Sequence, residues 1–343
     1  MTLARRTLLA AGMGSLAAPR LARAQAPERV RVILNFRQDG GTAGYLLALS
    51  RGYYREVGLE VSIDGSGGSG DAVTRTASGA YQIGTADLST LVEFFTRNPA
   101  TAPVYVAALH DISPQAIISL AHSNIGVPRD LIGKRIGQGP ADATSRMFPA
   151  FCRINGLDIN SMRREQVTPA LRDQMLLTRQ VDAVTGFDQT VFFNLKANGA
   201  NPETIRMMRY ADHGMDLPGN GVIAGRAFLA ERPDTVRRFL AASTRCWHEV
   251  MANPRQAAAE LKRQFPLLEE GIEAERIAFI RDRLMVTPRT RAEGLGFLSA
   301  ARVAESITMV REGFELTGGV PSVEQVFDPR PLPPMEERRL RVA

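Results

Sequence analysis

Residues 43–63 limit the possible folds of this chain more than any other stretch of it. They start with an apolar, helix-like segment, Ala43–Arg55, and end with the strand-forming run Leu59–Ile63. Gly58 supplies a turn between the two, and another strand-like run, Val30–Asn35, comes just before them. A strand, a helix and a second strand in this order predict a parallel sheet that is covered by helices.

The alternation of strand and helix patterns continues to about residue 210, and from Arg232 onward the patterns are helical. Two stretches, Ser78–Asp87 and Thr178–Asp188, share one design: a helix ends, a short strand follows, and an Asp opens the next helix. The sequence therefore predicts two similar α/β halves. Ligands bind beyond the carboxyl ends of the strands in such sheets, so two facing halves would form a binding cleft. The further strand candidates are Tyr81–Thr85, Val104–Leu109, Lys134–Gly137, Val181–Thr185 and Thr204–Arg209.

Two segments that mix Pro, Gly or Asn with strand-forming residues are suited to join the halves, Asp111–His122 and Asp212–Ala224. We expect the C-terminal helices to complete the first half. The predicted domains are lobe 1 from residues 28–111 and 225–320, lobe 2 from residues 112–224, and an extended C-terminal strap and tail from residues 321–343.

The N-terminus has the parts of an export signal, because a basic start precedes a short apolar run and Ala-x-Ala sites. The pair Arg5-Arg6 followed by Thr-Leu-Leu resembles a twin-arginine signal. We therefore expect residues 1–24 to be a signal peptide, cleaved near Ala24 or Ala26, and the protein to be periplasmic. The alternative is a short membrane anchor, but the apolar run is shorter than the about 20 residues of a spanning helix.

The charge and the cysteines narrow the class of protein further. The formal net charge is +6, but four arginines lie in the first 24 residues and the rest carries +2, which argues against nucleic acid as a partner. Cys152 and Cys246 lie in helix-like surroundings of different halves, so we expect free buried thiols, with a disulfide as the alternative.

The four histidines lack metal-ligand spacing, and no motif of a catalytic nucleophile occurs. We predict neither a catalytic residue nor a cofactor.

The glycine-rich loop Gly65–Gly70 follows a strand and opens a helix. It matches the G-x-G-x-x-G spacing of dinucleotide sites, with Asp87 about 20 residues further on. That fingerprint belongs to the first βα turn of a domain, whereas this loop follows the second strand. Free backbone N–H groups at a helix start also suit an anion or a polar ligand head, and a flexible surface turn is the other alternative. The candidate ligand contacts in the loop are Gly67, Gly68 and Ser69.

Four residues end the first strand and so point at the predicted cleft: Asn35, Phe36, Arg37 and Gln38. Phe36 offers a face for stacking, and Arg37 can clamp an anion with two hydrogen bonds. Asn35 and Gln38 offer donors and acceptors. We predict that these side chains contact the ligand, with solvation as the alternative for each of them.

Matching loops in both halves supply the remaining candidates. The hydroxyl groups of the loop 138–145 either contact a ligand or cap the helix that follows. An Asp that opens a helix is more often a cap than a ligand contact, and Phe187 is a second stacking surface. The candidates are Asp87, Ser89, Gln138, Thr144, Ser145, Phe187, Asp188 and Asn220.

The amino-acid sequence of residues 43–63 resembles the opening unit of the periplasmic solute-binding proteins for alkanesulfonates and thiamine-pyrimidine precursors. Three further stretches resemble that family more weakly: Ser78-Gly-Ala, Val181-Asp-Ala-Val and Asn220-Gly-Val-Ile-Ala. The resemblance implies a two-lobed α/β fold of type II, with two doubly wound sheets, two crossover strands and a helical C-terminal part. It also implies a monomer that delivers a small molecule to a membrane permease and its ATPase. The family commonly has a Trp where this chain has Phe36, and a His nearby that this chain lacks.

This resemblance predicts the substrate-binding component of an ATP-driven importer, which would capture a planar or anionic organic molecule by hinge closure. Sulfonates, pyrimidines, nitrate-like anions and aromatic carboxylates all fit that description. One alternative is an exported module that senses a ligand. Another is a thiamine-pyrimidine synthesis enzyme of the same fold, but the cysteine-rich motif of that branch has no match here.

Overall fold

The computed structural model of the protein describes residues 26–316 and 318–341, and the predicted signal peptide lies outside the described residues. The strands are β1 (Glu28–Ile33), β2 (Leu59–Asp64), β3 (Ile83–Asp87), β4 (Val104–Ala108), β5 (Gln115–Leu120), β6 (Arg135–Gln138), β7 (Arg163–Gln166), β8 (Ala183–Phe187), β9 (Ile205–Arg209) and β10 (Asn220–Ala224).

The helices follow the strands in the first two thirds of the chain and fill most of the last third. They are α1 (Ala43–Ser50), α2 (Tyr53–Glu56), α3 (Ser69–Ala77), α4 (Leu88–Arg97), α5 (Ala143–Ile154), α6 (Pro169–Leu177), α7 (Asp188–Ala197), α8 (Arg226–Glu231), α9 (Pro233–Ala252), α10 (Pro254–Gln264), α11 (Glu270–Ile280), α12 (Pro288–Glu293), α13 (Ala300–Phe314), α14 (Val323–Val326) and α15 (Met335–Arg338). Among the described residues, no helix has the length and apolar character needed to cross a bilayer.

Two five-stranded sheets form the framework, which confirms the prediction of two α/β halves. The strand order is β2-β1-β3-β10-β4 in the first sheet and β7-β6-β8-β5-β9 in the second. Each sheet has one strand antiparallel to its neighbours: β10 in the first and β5 in the second. The sheets are therefore mixed rather than parallel throughout, because each strand that follows a crossing between the halves enters its sheet in the opposite direction.

The lobes are defined most simply by these sheets. We call the first sheet with its helices lobe 1, and the second sheet with α5, α6 and α7 lobe 2. The return crossing comes before Asn220, because β10 lies in the first sheet. We therefore propose a return to lobe 1 before Asn220 rather than after Ala224, and the segment 321–343, expected to be extended, contains the short helices α14 and α15.

Residues 43–63 form the predicted helix and strand, with a break at Gly52, whose φ of 78° separates α1 from α2. The helix α1 packs on α9, where the rings of Tyr45 and Trp247 meet edge to face at 5.7 Å. Tyr54 stacks on Phe239 at 5.0 Å. These contacts place α9 on lobe 1. That the C-terminal helices as a whole complete lobe 1 stays a prediction.

Tyr54 and Phe239 belong to one large apolar cluster. A second apolar cluster continues from lobe 1 into lobe 2. The helix α13 packs on both α4 and α5, and the buried Val303, Ile307 and Val310 face that cluster. The two lobes are therefore joined by apolar packing as well as by the two crossing segments. Cys152 and Cys246 are buried free thiols in different clusters.

Where β3 ends, the carboxylate of Asp87 is fully buried at the junction of the two lobes. It accepts hydrogen bonds from the backbone and side chain of Ser89 in lobe 1 and from Nε2 of Gln115 in lobe 2, the last at 3.0 Å. Within the described part of the chain, no cation pairs with it. Burial therefore raises the pKa of Asp87 to about 6, although these hydrogen bonds oppose the shift.

Gly44→Ala tests the contact between α1 and α9. A Cβ at this position would lie 2.3 Å from the indole ring of Trp247. We expect the free energy of unfolding to fall by about 3 kcal/mol in urea titrations, because overpacking a closed contact forces a backbone shift. The matched control is Gly271→Ala, where a Cβ meets no atom within 4 Å. Equal stabilities of the two variants would contradict this packing.

Asp87→Asn tests the buried carboxylate. Between about pH 4 and pH 6 the folded protein holds a proton on Asp87 that the unfolded chain has lost, so wild-type stability falls as the pH rises through this window. We expect the stability difference, variant minus wild type, to rise by about 2 to 3 kcal/mol between pH 4 and pH 7.5 in urea titrations. The exposed helix cap Asp158→Asn is the control. A difference that does not change with pH would refute the raised pKa.

Candidate functional site

A small cavity lies between the lobes, at the carboxyl ends of strands from both sheets. Its volume is about 30 Å³, room for no more than a water molecule or two. The lobes must therefore separate before an organic molecule can enter. Its lining residues are Asn35, Phe36, Gly67, Gly68, Ser69, Asp142, Ala143, Pro169, Arg172, Phe187 and Thr190.

The wall from lobe 1 consists of the end of β1 and the glycine-rich loop. The amide of Asn35 donates to Oδ1 of Asn220 at 3.0 Å and accepts from the hydroxyl of Thr85 at 2.9 Å. Ser69 accepts a hydrogen bond from the backbone N–H of Asp87. These bonds fix Asn35 and Ser69, and they leave the ring of Phe36 as the large apolar face of this wall.

The glycine-rich loop lies directly against lobe 2. The backbone N–H of Gly70 donates to the carbonyl oxygen of Ala141 at 3.2 Å. Gly68 has a φ of 150°, and a Cβ there would lie 2.4 Å from the same oxygen. Nearby, Arg146 of α5 forms an ion pair with the buried Glu93 of α4 at 2.6 Å. The structure thus shows the two lobes in contact on the cleft side.

The wall from lobe 2 contains a buried arginine beside Phe187. Arg172 is 2% exposed, and its Nη1 donates to Asp142 and to the carbonyl oxygen of Thr185, both at 2.9 Å. Its Nε donates to Asp173 at 3.0 Å. Burial raises the pKa of Asp142, and the charge of Arg172 opposes that shift. The cavity therefore contains one cation whose charge is already balanced by carboxylates.

Arg37 and Gln38 do not line this cavity but a groove at its rim. Nη2 of Arg37 donates to Oδ1 of Asn194 on α7, at 2.9 Å, and so bridges the lobes. The buried Arg276 of α11 lies beside the same Asn194 and donates to the carbonyl oxygen of Gln189 at 2.9 Å. The expected anion clamp at Arg37 is thus engaged in a contact between lobes.

The other predicted residues lie behind the cavity wall. Asp87, Ser89 and Asn220 take part in the buried hydrogen bonds at the lobe junction described above. Asp188 is fully buried and forms an ion pair with Arg209 at 2.9 Å, and burial raises its pKa to about 6. The side chain of Ser145 bonds to Thr185, while Gln138 and Thr144 are buried nearby.

Sequence reasoning missed five lining residues, Asp142, Ala143, Pro169, Arg172 and Thr190. Arg172 is in the first turn of α6, and α6 follows the strand β7, whose sequence Arg-Arg-Glu-Gln carries no apolar signal. Without this signal, the strand β7 is not predicted, and neither is the location of the start of α6 at the carboxyl end of a strand. A signal that could have revealed it is Pro169, since Pro is favoured at helix starts and Arg172 follows it three positions later.

Comparisons with known proteins agree with this architecture. A sequence model of the family described as NMT1/THI5 like matches residues 40–257, more than half of the chain. A formylaminopyrimidine-binding protein from Halalkalibacterium halodurans is 23% identical over 268 residues, 76% of this chain and 79% of that protein. The riboflavin-binding protein RibY from Chloroflexus aurantiacus is 24% identical over 239 residues, 67% of this chain and 64% of that protein.

Similar solved structures share the fold at low sequence identity. The alkanesulfonate-binding protein SsuA from Xanthomonas axonopodis, bound to MOPS, has a TM-score of 0.67 and 16% identity, with 90% of this chain and 99% of that chain covered. The periplasmic aliphatic sulphonate binding protein SsuA from Escherichia coli has a TM-score of 0.65 and 17% identity, with coverage of 88% and 97%. The chain therefore belongs to the NMT1/THI5-like family and has the two-lobed, type II fold of periplasmic binding proteins.

Proposed function

We propose that this protein is the substrate-binding component of an ABC importer and captures a small planar organic molecule in the cleft between its lobes. The observation that carries the proposal is the pairing of two aromatic residues, Phe36 from lobe 1 and Phe187 from lobe 2, on one cavity. The similar proteins from Halalkalibacterium halodurans and Chloroflexus aurantiacus are named as binding proteins, not as enzymes. The protein acts outside the cytoplasmic membrane, without converting its ligand, and its partners are a permease and an ATPase. The monomeric state stays a prediction.

The charges that line the cavity favour a neutral ligand. Arg172 and Asp142 are the ionic groups among the lining residues, and Asp173 shares the charge of Arg172 from behind. A sulfonate or carboxylate would add a further negative charge beside a single guanidinium that two carboxylates already balance. A neutral heteroaromatic compound adds no charge and can stack on the two phenylalanine rings.

Hinge closure about the two crossing segments is the mechanism that fits the contacts. Contacts of Gly70 with Ala141 and of Arg146 with Glu93 close the cleft side. The cavity behind them has to widen to take an organic ring. A ligand that touches both lobes binds the closed state better than the open one, so it shifts the population toward closure. The permease then binds the closed form, which ligand binding has made the more populated one.

Titration calorimetry with formylaminopyrimidine, riboflavin and MOPS tests the ligand class. We expect wild type to bind at least one of the two heteroaromatic compounds and to bind MOPS weakly or not at all. Phe36→Ala and Phe187→Ala should each weaken that binding about 10- to 100-fold, because stacking on a ring is lost. The control is Phe297→Ala, a half-buried phenylalanine outside the cleft. Full affinity in both cleft variants would eliminate this site.

Gly68→Ala tests closure without removing a side chain from the cavity. The new methyl group would meet the carbonyl oxygen of Ala141 and the backbone would be strained, so the lobes should stop short of contact. We expect at least a tenfold loss of affinity for the heteroaromatic compound and no compaction in X-ray scattering when it is added. Gly271→Ala is the control, since its Cβ meets no atom within 4 Å and the residue does not line the cavity. Identical behaviour of the two variants would argue against closure at this contact.

A further inference from the structure

Arg172 has a donor that the protein does not use. Its hydrogen bonds to Asp173, Asp142 and Thr185 occupy Nε and Nη1, and Nη2 has no hydrogen-bond partner within residues 26–316 and 318–341. The side chain is almost completely buried and lines the cavity. A charged donor that the protein leaves unused at a cavity is available to an acceptor on a ligand, because charge-assisted hydrogen bonds are among the strong ones.

The position of this guanidinium is fixed by its surroundings. Two carboxylates and one carbonyl oxygen hold it, and Gly186 provides the space behind it. A Cβ at Gly186 would lie 2.9 Å from Nη1 of Arg172 and 2.6 Å from Val191. Arg172 therefore presents Nη2 in one defined direction rather than as a mobile charge.

A chain of hydrogen bonds through Asp173 and Asn194 connects Arg172 to lobe 1. Asp173 accepts from Nε of Arg172 with Oδ1, and with Oδ2 it accepts from Nδ2 of Asn194 at 2.8 Å. Oδ1 of Asn194 in turn accepts from Arg37 at 2.9 Å and from Arg276 at 3.4 Å. Asn194 does not line the cavity. Its bond to Asp173 lies within lobe 2, whereas its Oδ1 has Arg37 and Arg276 as partners only when the lobes are in contact.

We propose that Nη2 of Arg172 donates a hydrogen bond to an acceptor on the ligand, and that Asp173 and Asn194 couple this bond to the lobe contact made by Arg37 and Arg276. The proposal rests on the proposed function, because it requires a ligand in the cleft. Arg172 touches the ligand, whereas Asn194 is a positioning residue. Ligand binding at Nη2 and the lobe contact at Asn194 then stabilise one another through the same hydrogen bonds.

Arg172→Lys, Asn194→Ala and the double variant test the coupling, with formylaminopyrimidine and riboflavin as calorimetric probes. Lys keeps the charge beside Asp142 and Asp173 but removes the second N–H edge, so the variant folds and its affinity should fall about 10- to 100-fold. Asn194→Ala should lower the affinity about 3- to 10-fold, although it removes no cavity contact. In the double variant the loss should be smaller than the product of the two single losses.

The controls are Arg135→Lys and Asn201→Ala, which change the same residue types in lobe 2 outside the chain of hydrogen bonds. Both should bind as wild type does. Wild-type affinity in Arg172→Lys would overturn the ligand contact. Unchanged affinity in Asn194→Ala, or strictly multiplicative losses, would overturn the coupling.

X-ray scattering separates this inference from the proposed function. If wild type binds neither probe, the ligand class proposed above is wrong, and the free proteins still decide on the coupling. Asn194→Ala should then show a larger radius of gyration than wild type and Asn201→Ala, because one contact of the closed arrangement is lost. Equal radii in all three proteins would overturn the role of Asn194.

Discussion

The two crossing segments are hydrogen-bonded to each other, and this pairing determines how the lobes can move. The carbonyl oxygen of Asn220 accepts from the backbone N–H groups of Leu109 and His110, both at 2.9 Å. Gly219 donates back to His110, and Ser113 donates to Leu217 at 2.8 Å. Two strands tied along their length bend together far more easily than they slide, so hinge motion is the movement that this connection permits.

The lobes meet through different chemistry on the two sides of the hinge. Near the crossings, apolar residues and α13 form a continuous core that loses free energy when it is exposed to water. On the cleft side the contacts are hydrogen bonds and ion pairs such as Arg146 with Glu93. Water can replace such contacts at small net cost. The apolar side therefore holds the lobes together while the polar side opens.

The sequence predicted the scaffold well and the cavity in part. The β-α-β pattern of residues 43–63 was enough to locate the end of β1 and the glycine-rich loop, since both lie beside strong apolar signals. β10 was predicted as a crossing, because a strand that contains Asn220 and Gly221 carries turn residues. Arg172 was not predicted as a site residue, because the edge strand before it is polar and gives no apolar strand signal. The contacts of the predicted residues with a ligand stay predictions.

Hydrogen bonds between side chains far apart in sequence were beyond sequence reasoning altogether. Arg37 and Asn194 are 157 positions apart, and nothing in their local sequence shows that they meet. A long arginine at a strand end reads equally well as a ligand clamp or as a contact between lobes. Only the packing of α7 against the rim of lobe 1 decides between these roles.

The absent side chain at Gly186 limits how this part of lobe 2 can change. A Cβ there would lie 2.6 Å from Val191 and 2.9 Å from Nη1 of Arg172. Any larger residue would therefore require a shift both of the arginine and of α7, which carries Val191. The position of the guanidinium at the cavity thus depends on a backbone atom that has no side chain of its own.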